Sequence, residues 1–318
     1  MLGPEHVGRR VAVRIRLADP EPGRRFTDVT GELIELGPVR WRVLRASGEV
    51  VTIDAAAVVA ARPIPPKPTP FSEILALERL LALTWPAIET APLGGWTLRY
   101  SQGFSRRANS VLALTAPEPR RSLRGDDSPS GTDAAIAAVA DWYGARGARP
   151  LVSLAGAVTK RLDDELAARG WAAEGETAVM TRPIEASADT GEVRITDAPG
   201  PEFLEQIGRG VPEVAARVFG SGADRGYAEV WRDGALAARG RGAIAGDTVA
   251  ITAIGTLPAY RRQGLGTAVL HALEAWGAAN GAARAALQVE TDNAAAIAMY
   301  ASLGYAERYR YWYRGPVA

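Results

Sequence analysis

The 318-residue sequence predicts an α/β (α+β) chain in which a small five-stranded β-barrel precedes two mixed-sheet α/β units. Three observations carry that prediction. Short bursts of alternating apolar and polar residues fill the first 62 positions, a proline-dense segment follows them, and the remainder repeats itself at an offset of 134 residues.

Each element follows from local chemistry. Between residues 7 and 62 the bursts VAVRIRL, DVTGELIELG, VRWRVLRA and EVVTIDAAAVV have the two-residue period of half-buried strands, and the spacers DPEPG and ASGE supply turn residues. Arg62 to Pro70 holds five prolines in nine residues, a stiff extended linker. The expected division is therefore a barrel over 1–62, a linker over 63–70, and α/β units over 71–186 and 190–318. Ser72 is positioned to cap the apolar-rich helix EILALERLLALTW, which Pro86 stops. Strands WTLRYS and NSVLALTA follow, and from Thr132 the order is helix, strand, helix, strand. The second unit opens near Glu192 with EVRITDA, continues through helical stretches to Phe219, and then gives GYAEVWRDG, ALAARGRG and TVAITAIGT as strands.

The repeat is visible at marked positions. Trp142 stands 28 residues before Gly170 in RGW, and Trp276 stands 28 residues before Gly304 in LGY, so helix falls on helix and strand on strand. The two copies differ where chemistry would sit. Arg261, Gly264, Gly266, Asn293 and Tyr300 fall opposite Asp127, Ser130, Thr132, Thr159 and Leu166. If the second copy carries a function, the first has lost it.

Composition removes several function classes. There is no cysteine, which excludes disulfides, thiolate metal sites and cysteine nucleophiles together. Only His6 and His271 offer imidazole, so no metal site and no Ser-His-Asp triad is expected. The formal net charge of +1 provides no overall field for nucleic acid or an anionic membrane. No run is apolar enough to span a bilayer or serve as a signal peptide, and a cytoplasmic location is expected.

The stretch YRRQGLG, Tyr260 to Gly266, leads from a strand directly into a helix. Gly264 and Gly266 let the backbone approach a ligand closely. The unpaired N–H groups of a helix start, together with its dipole and the charges of Arg261 and Arg262, favour an anion such as a pyrophosphate. Apolar positions 265, 269, 273 and 276 form one core face of that helix, and His271 lies off it, where exposure is expected. ALQVE then reads as a strand. Asn293 sits at the next strand-to-helix junction, and Tyr300, seven residues on, shares its helix face. The glycine-rich GRGAIAG, Gly240 to Gly246, lies within a hairpin and has the wrong spacing for a dinucleotide fingerprint.

With these residues in order, the segment from Glu192 to Arg314 resembles the Gcn5-related N-acetyltransferase (GNAT) superfamily. The matching residues are R-x-x-G-x-G from Arg261 to Gly266, the strand and proline before it, and N-x-x-A-x-x-x-Y over Asn293, Ala296 and Tyr300, closing in L-G-Y. The resemblance implies acetyl-CoA as acyl donor. It also implies a splayed strand whose backbone at Ile254 and Thr256 pairs with the pantetheine arm, and N–H groups over Gln263, Gly264, Leu265, Gly266 and Thr267 that cradle the pyrophosphate. It gives Asn293 a pantetheine contact and makes Tyr300 the acid that protonates the departing thiolate. Many related enzymes place a glutamate where this chain has Gln288, so the base is left to Glu290 or Glu229, acting directly or through water.

Residues 71–183 resemble the degenerate first half of tandem GNAT proteins. The stretch from Trp96 to Val111 resembles one found in an actinobacterial, histone-acetyltransferase-like group that carries an SH3-like domain in front, so the first copy is expected to wall the substrate channel without holding CoA. Two readings stay open. One is an N-acetyltransferase acting by direct attack in a ternary complex on a primary amine, either a small molecule or a peptide or protein amine. The other is a non-catalytic acyl-CoA-binding or sensing protein with an adaptor domain. The barrel's ten arginines against eight acidic residues, with Phe26 and Trp41 its only large aromatics, make a poor nucleic-acid footprint. The closing strand ERYRYWYR places aromatics on both faces, as either sheet core or the acceptor side.

Overall fold

The computed structural model describes residues 2–21, 23–65, 67–115, 131–184, 191–207, 210–222 and 224–317. The chain divides into two compact units, Met1–Pro68 and Thr69–Ala318.

The first unit is an antiparallel sheet of β1 (Arg10–Glu21), β2 (Arg24–Leu36), β3 (Arg40–Leu44), β4 (Val50–Asp54) and β5 (Val58–Pro63), in the order β4-β3-β2-β1-β5. Alternation decides its inside: Val11, Val13, Val29, Leu33, Trp41, Val43 and Ile53 are buried in one cluster. Ile53 of end strand β4 and Val58 of end strand β5 join that cluster although β4 and β5 do not pair, so the barrel is open along one seam. Trp41 is core, which leaves Phe26 as the exposed large aromatic of the two.

The second unit begins with α1 (Phe71–Thr84). Pro70 rather than Ser72 takes the N-cap position, and its carbonyl accepts from the Glu73 and Ile74 N–H groups. The fixed φ of proline suits it to the helix boundary, and Ser72 falls inside the first turn. Next come β6 (Glu89–Leu93), β7 (Trp96–Tyr100), β8 (Val111–Ala113), α2 (Thr132–Gly144), β9 (Val152–Leu154), α3 (Lys160–Ala168) and β10 (Trp171–Pro183). The second copy comprises β11 (Arg194–Thr196), α4 (Pro201–Ile207), α5 (Pro212–Gly220), β12 (Arg225–Arg232), β13 (Ala235–Ala245), β14 (Thr248–Thr256), α6 (Leu265–Ala279), β15 (Arg284–Glu290), α7 (Ala294–Ser302) and β16 (Ala306–Pro316).

The predicted repeat appears in these boundaries. Both ends of α3 and of α7 stand 134 positions apart, and Gly170 and Gly304 both take positive φ, 78° and 86°. Asp127 and Ser130, two of the aligned positions, lie outside the described residues.

One mixed sheet of 11 strands runs through both copies in the order β11-β12-β13-β14-β15-β10-β16-β9-β8-β7-β6. The equivalent strands β10 and β16 are antiparallel neighbours at its centre, and each lies on the other copy's side: β10 pairs with β15, and β16 pairs with β9. The copies have thus exchanged their last strands. Their cores remain separate, with Val269, Leu270, Leu273 and Tyr300 in one and Trp96, Val139, Tyr143 and Leu166 in the other. Helix α1 joins them by packing Ile74, Leu77 and Leu81 on Val179, Ala250, Ala286 and Tyr309. Gly240, within the predicted hairpin, is explained by packing, because a Cβ there would meet Val269 Cγ1 of α6 at 2.6 Å.

Candidate active site

A short 3-10 turn, Pro258–Tyr260, carries β14 into the Arg/Gly loop. Arg262 and Gly264 both take positive φ, 64° and 80°, and Gly264 is the N-cap of α6, with no side chain bonded to the helix start. Ala268 N–H donates to Gly264 O at 3.0 Å, the first bond of the helix. The N–H groups from Gln263 to Thr267 therefore have no protein acceptor among the described residues. Successive N–H groups in such a loop form an anion-binding concavity, and the helix dipole adds to it. Arg261, Arg262 and Gln263 are exposed around it, and no acidic residue lies in this loop or in the first turn of α6. A Cβ on Gly264 would meet nothing within 4 Å, and one on Gly266 would lie 3.6 Å from Thr256 Oγ1, so the space in front of the loop is open. These features suit a pyrophosphate.

Beside the loop, β14 and β15 part. They pair in parallel only from Thr248↔Arg284 to Ile251↔Leu287. At this point β14 bulges against β13: Ala253 has φ 54°, and Arg239 holds its carbonyl through Nη1. Leu257 N–H bonds to Ala237 O on β13, so by strand alternation the backbone groups of Ile254 and Thr256 face away from β13, toward the opening. Arg261 Nε donates to Thr256 O at 3.4 Å across its edge.

The opening meets a cavity of about 380 Å³. Thr252, Ala253 and Ile254 of β14 and Gln288 and Glu290 of β15 form one side; Trp85, Phe104, Phe219, Tyr311 and Tyr313 add aromatic walls; Arg106, Arg107 and Arg239 bring charge. The first copy therefore contributes Phe104–Arg107 and Thr177 to the lining, and the closing strand contributes two of its tyrosines.

The sequence-predicted residues fall into three groups. Ile254, Gln288 and Glu290 line the cavity, and Arg106 makes an ion pair with Glu290. Tyr300 lies on α7, and Asn293 is the N-cap of that helix. The Asn293 side chain caps that helix by accepting from Ala296 N–H at 3.1 Å. Tyr300 is buried to 8% exposure against Tyr305, in a cluster against which Ile254 also packs. Its hydroxyl has no partner among the described residues, and burial raises its pKa. Glu229 is set apart: it is buried on β12, accepts from Trp231 Nε1 at 3.0 Å, and is not in the cavity lining. His271, expected to be exposed, is half-buried.

Sequence reasoning gave no site role to Arg106, Arg107, Arg239 or Glu78, although Arg106 and Arg107 lie within the Trp96–Val111 stretch that carried the resemblance. Glu78 of α1 lies behind the cavity near Arg99 and Arg107, accepts from Tyr309 OH at 2.6 Å, and has its pKa raised by burial. The charged pair Glu78-Arg79 inside the otherwise apolar ILALERLLAL was the available signal for it.

The chain belongs to the GNAT superfamily of N-acetyltransferases, as the family match over residues 71–314, the acetyltransferase relatives and the GNAT-fold neighbours together show. Within that superfamily, residues 71–314 match the family described as "Probable histone acetyltransferase Rv0428c C-terminal". Residues 5–62 match "Rv0428c N-terminal Sm-like domain", so the description of the first unit is Sm-like where SH3-like was expected. The probable histone acetyltransferase Rv0428c of Mycobacterium tuberculosis is 28% identical over 306 residues, covering 94% of this chain and 92% of that protein. The uncharacterized N-acetyltransferase YobR of Bacillus subtilis is 25% identical, covering 76% and 98%. A GCN5-related N-acetyltransferase from Kribbella flavida shares the fold with a TM-score of 0.55 at 16% identity, covering 77% of this chain and 96% of that one. A tandem GNAT protein from the clavulanic acid biosynthesis pathway does so at 0.53 and 16% identity, covering 80% and 90%. No helix among the described residues is long and apolar enough to cross a membrane.

Proposed function

We propose that the chain transfers an acetyl group from acetyl-CoA to a primary amine by direct attack in a ternary complex, using the second copy alone. The observation that carries this reading is the divergence of β14 from β15 after Ile251 and Leu287, where Ile254, Gln288 and Glu290 line the cavity, with N–H groups that have no protein partner among the described residues following at the start of α6. In this reading the N–H groups from Gln263 to Thr267, with Arg261 and Arg262, hold the pyrophosphate, and the edge at Ile254 and Thr256 holds the pantetheine arm. Asn293 adds a polar contact while it caps α7. When bound, acetyl-CoA supplies an activated thioester carbonyl.

The chain's own groups move the protons. An ammonium must lose a proton before it can attack, and Glu290 is the carboxylate that lines the cavity, so it takes that proton directly or through a water. Burial keeps the Tyr300 phenol protonated until the leaving sulfur needs a proton. The first copy walls the cavity through Phe104–Arg107 and holds no CoA. The boundaries proposed are 1–62, 71–186 and 190–318 around the proline linker.

The ion pair that ties Glu290 to Arg106 favours a second reading, a protein that binds acyl-CoA without turning it over. Calorimetric titration of acetyl-CoA, followed by thiol-release assays over a broad amine panel, separates the two. One site per chain with thiol release supports the enzyme, one site without release under any amine supports the sensor, and absence of binding defeats both.

A further inference from the structure

We infer that the acceptor is a small amine that also carries an anionic group, a carboxylate in the first instance, and that Arg107 is the residue that selects it. The inference rests on the acetyltransferase reading and specifies the substrate class of the same cavity.

The cavity's charge is unbalanced. Arg106 is neutralised by Glu290, but Arg107 and Arg239 line the same space with no carboxylate partner among the described residues. Arg239 donates only to neutral acceptors, Gln206 Oε1 at 3.0 Å, Gln206 O at 3.2 Å and Ala253 O. Burial lowers its pKa to about 10, so it remains charged at neutral pH. Arg107 lies over the Trp85 ring at 4.9 Å and donates through Nη2 to Tyr311 OH at 3.4 Å, while its Nε is buried without a partner. Behind it are Arg99, at 5% exposure, and Arg241, at 0%, whose Nε and Nη2 also lack partners. Among the described residues Glu78 is the one carboxylate near Arg99 and Arg107, and burial itself works against its charged form.

Buried cations without counter-charges are costly unless a ligand supplies the anion. Guanidinium groups at the base of an aromatic-walled cavity fit a carboxylate, which they bind through paired N–H donors. A volume of about 380 Å³ suits a small molecule with an apolar or aromatic body. The same field opposes an acceptor rich in lysine and arginine, such as a basic protein tail.

The test uses the full chain saturated with CoA and a panel of N-acetyl amino acids, each paired with its amide so that only the charge is lost. Binding is read by calorimetry. At least one acid should bind roughly 10- to 100-fold more tightly than its amide, the value of a charge-assisted contact. Arg107→Gln should erase that ratio and Arg107→Lys should retain part of it, with acetyl-CoA affinity unchanged in both variants. Equal binding of acids and amides, tighter binding of the amides, binding of no member of the panel, or a ratio that survives Arg107→Gln would each overturn the inference. Loss of acetyl-CoA binding by the wild-type chain would instead defeat the underlying function, so the two failures are distinguishable.

Discussion

Helices α2 and α6 occupy corresponding places in the two copies, and both begin at a positive-φ glycine, Gly131 at 89° and Gly264 at 80°. Beyond that point they differ in kind. The first turn of α2 carries Asp133, whereas that of α6 carries no acid and is preceded by Arg261 and Arg262. The next pair diverges in the same way. Asn293 caps α7 with its side chain, while Thr159 at the same place makes no cap bond to α3; Tyr300 has a hydroxyl without a partner among the described residues, while Leu166 is plain core at 0% exposure. The two halves share their packing, and these polar groups stand in the second half alone.

The largest expected effect comes from putting an anion where the second copy should hold one. Gly264→Asp adds a negative charge and a side chain at φ 80°, and acetyl-CoA affinity should fall by about 100-fold or more. Calorimetry that still finds a site of unchanged affinity would place binding in the first copy. Tyr300→Phe should lower turnover about 100-fold while leaving acetyl-CoA affinity nearly unchanged. Undiminished thiol release would remove the phenol from the chemistry. Its counterpart behaves differently: Leu166→Ala should cost about 2–5 kcal/mol of stability by denaturant melt, with the affinity of the remaining folded protein unaltered.

A pH titration probes the first copy's buried phenol. Burial pushes the Tyr143 phenol up from its ordinary value of about 10 to about 12, so the stability tied to its neutral form is complete below pH 10 and is lost as pH rises toward 12. The loss should reach roughly 2–3 kcal/mol, and Tyr143→Phe should flatten the decline. The smallest effect separates the two caps. Asn293→Ala should cost about 1 kcal/mol, and Thr159→Ala about half that or less, by thermal melts. Equal costs would mean that the cap bond contributes nothing beyond packing.

Much of this was legible in the sequence because it is local. Repeat spacing, the proline linker, the Arg/Gly loop and the core face of α6 are patterns within a few turns of chain, and each appears where the residues set it. Strand exchange was not legible, because β10 and β16 carry compatible side-chain alternation wherever they dock and their partners lie far away in sequence. The cavity's arginines escaped for the same reason: Arg106, Arg107 and Arg239 converge only once the sheet order is known. Glu229 attracted notice as a carboxylate on a strand of the right copy, yet its side chain is held by Trp231 rather than directed at the cavity.

The exchange of β10 and β16 also bears on how such a chain can arise and change. Severed after Pro183, each fragment would expose a bare edge where its neighbour's final strand now lies, and a second fragment of the same kind would fill it. A lone ancestral copy with this topology would pair with its twin, and fusing the two genes would turn that dimer into a single polypeptide. From then on the two halves could diverge, but the first could not be deleted, because it owns a strand that the other half's sheet requires.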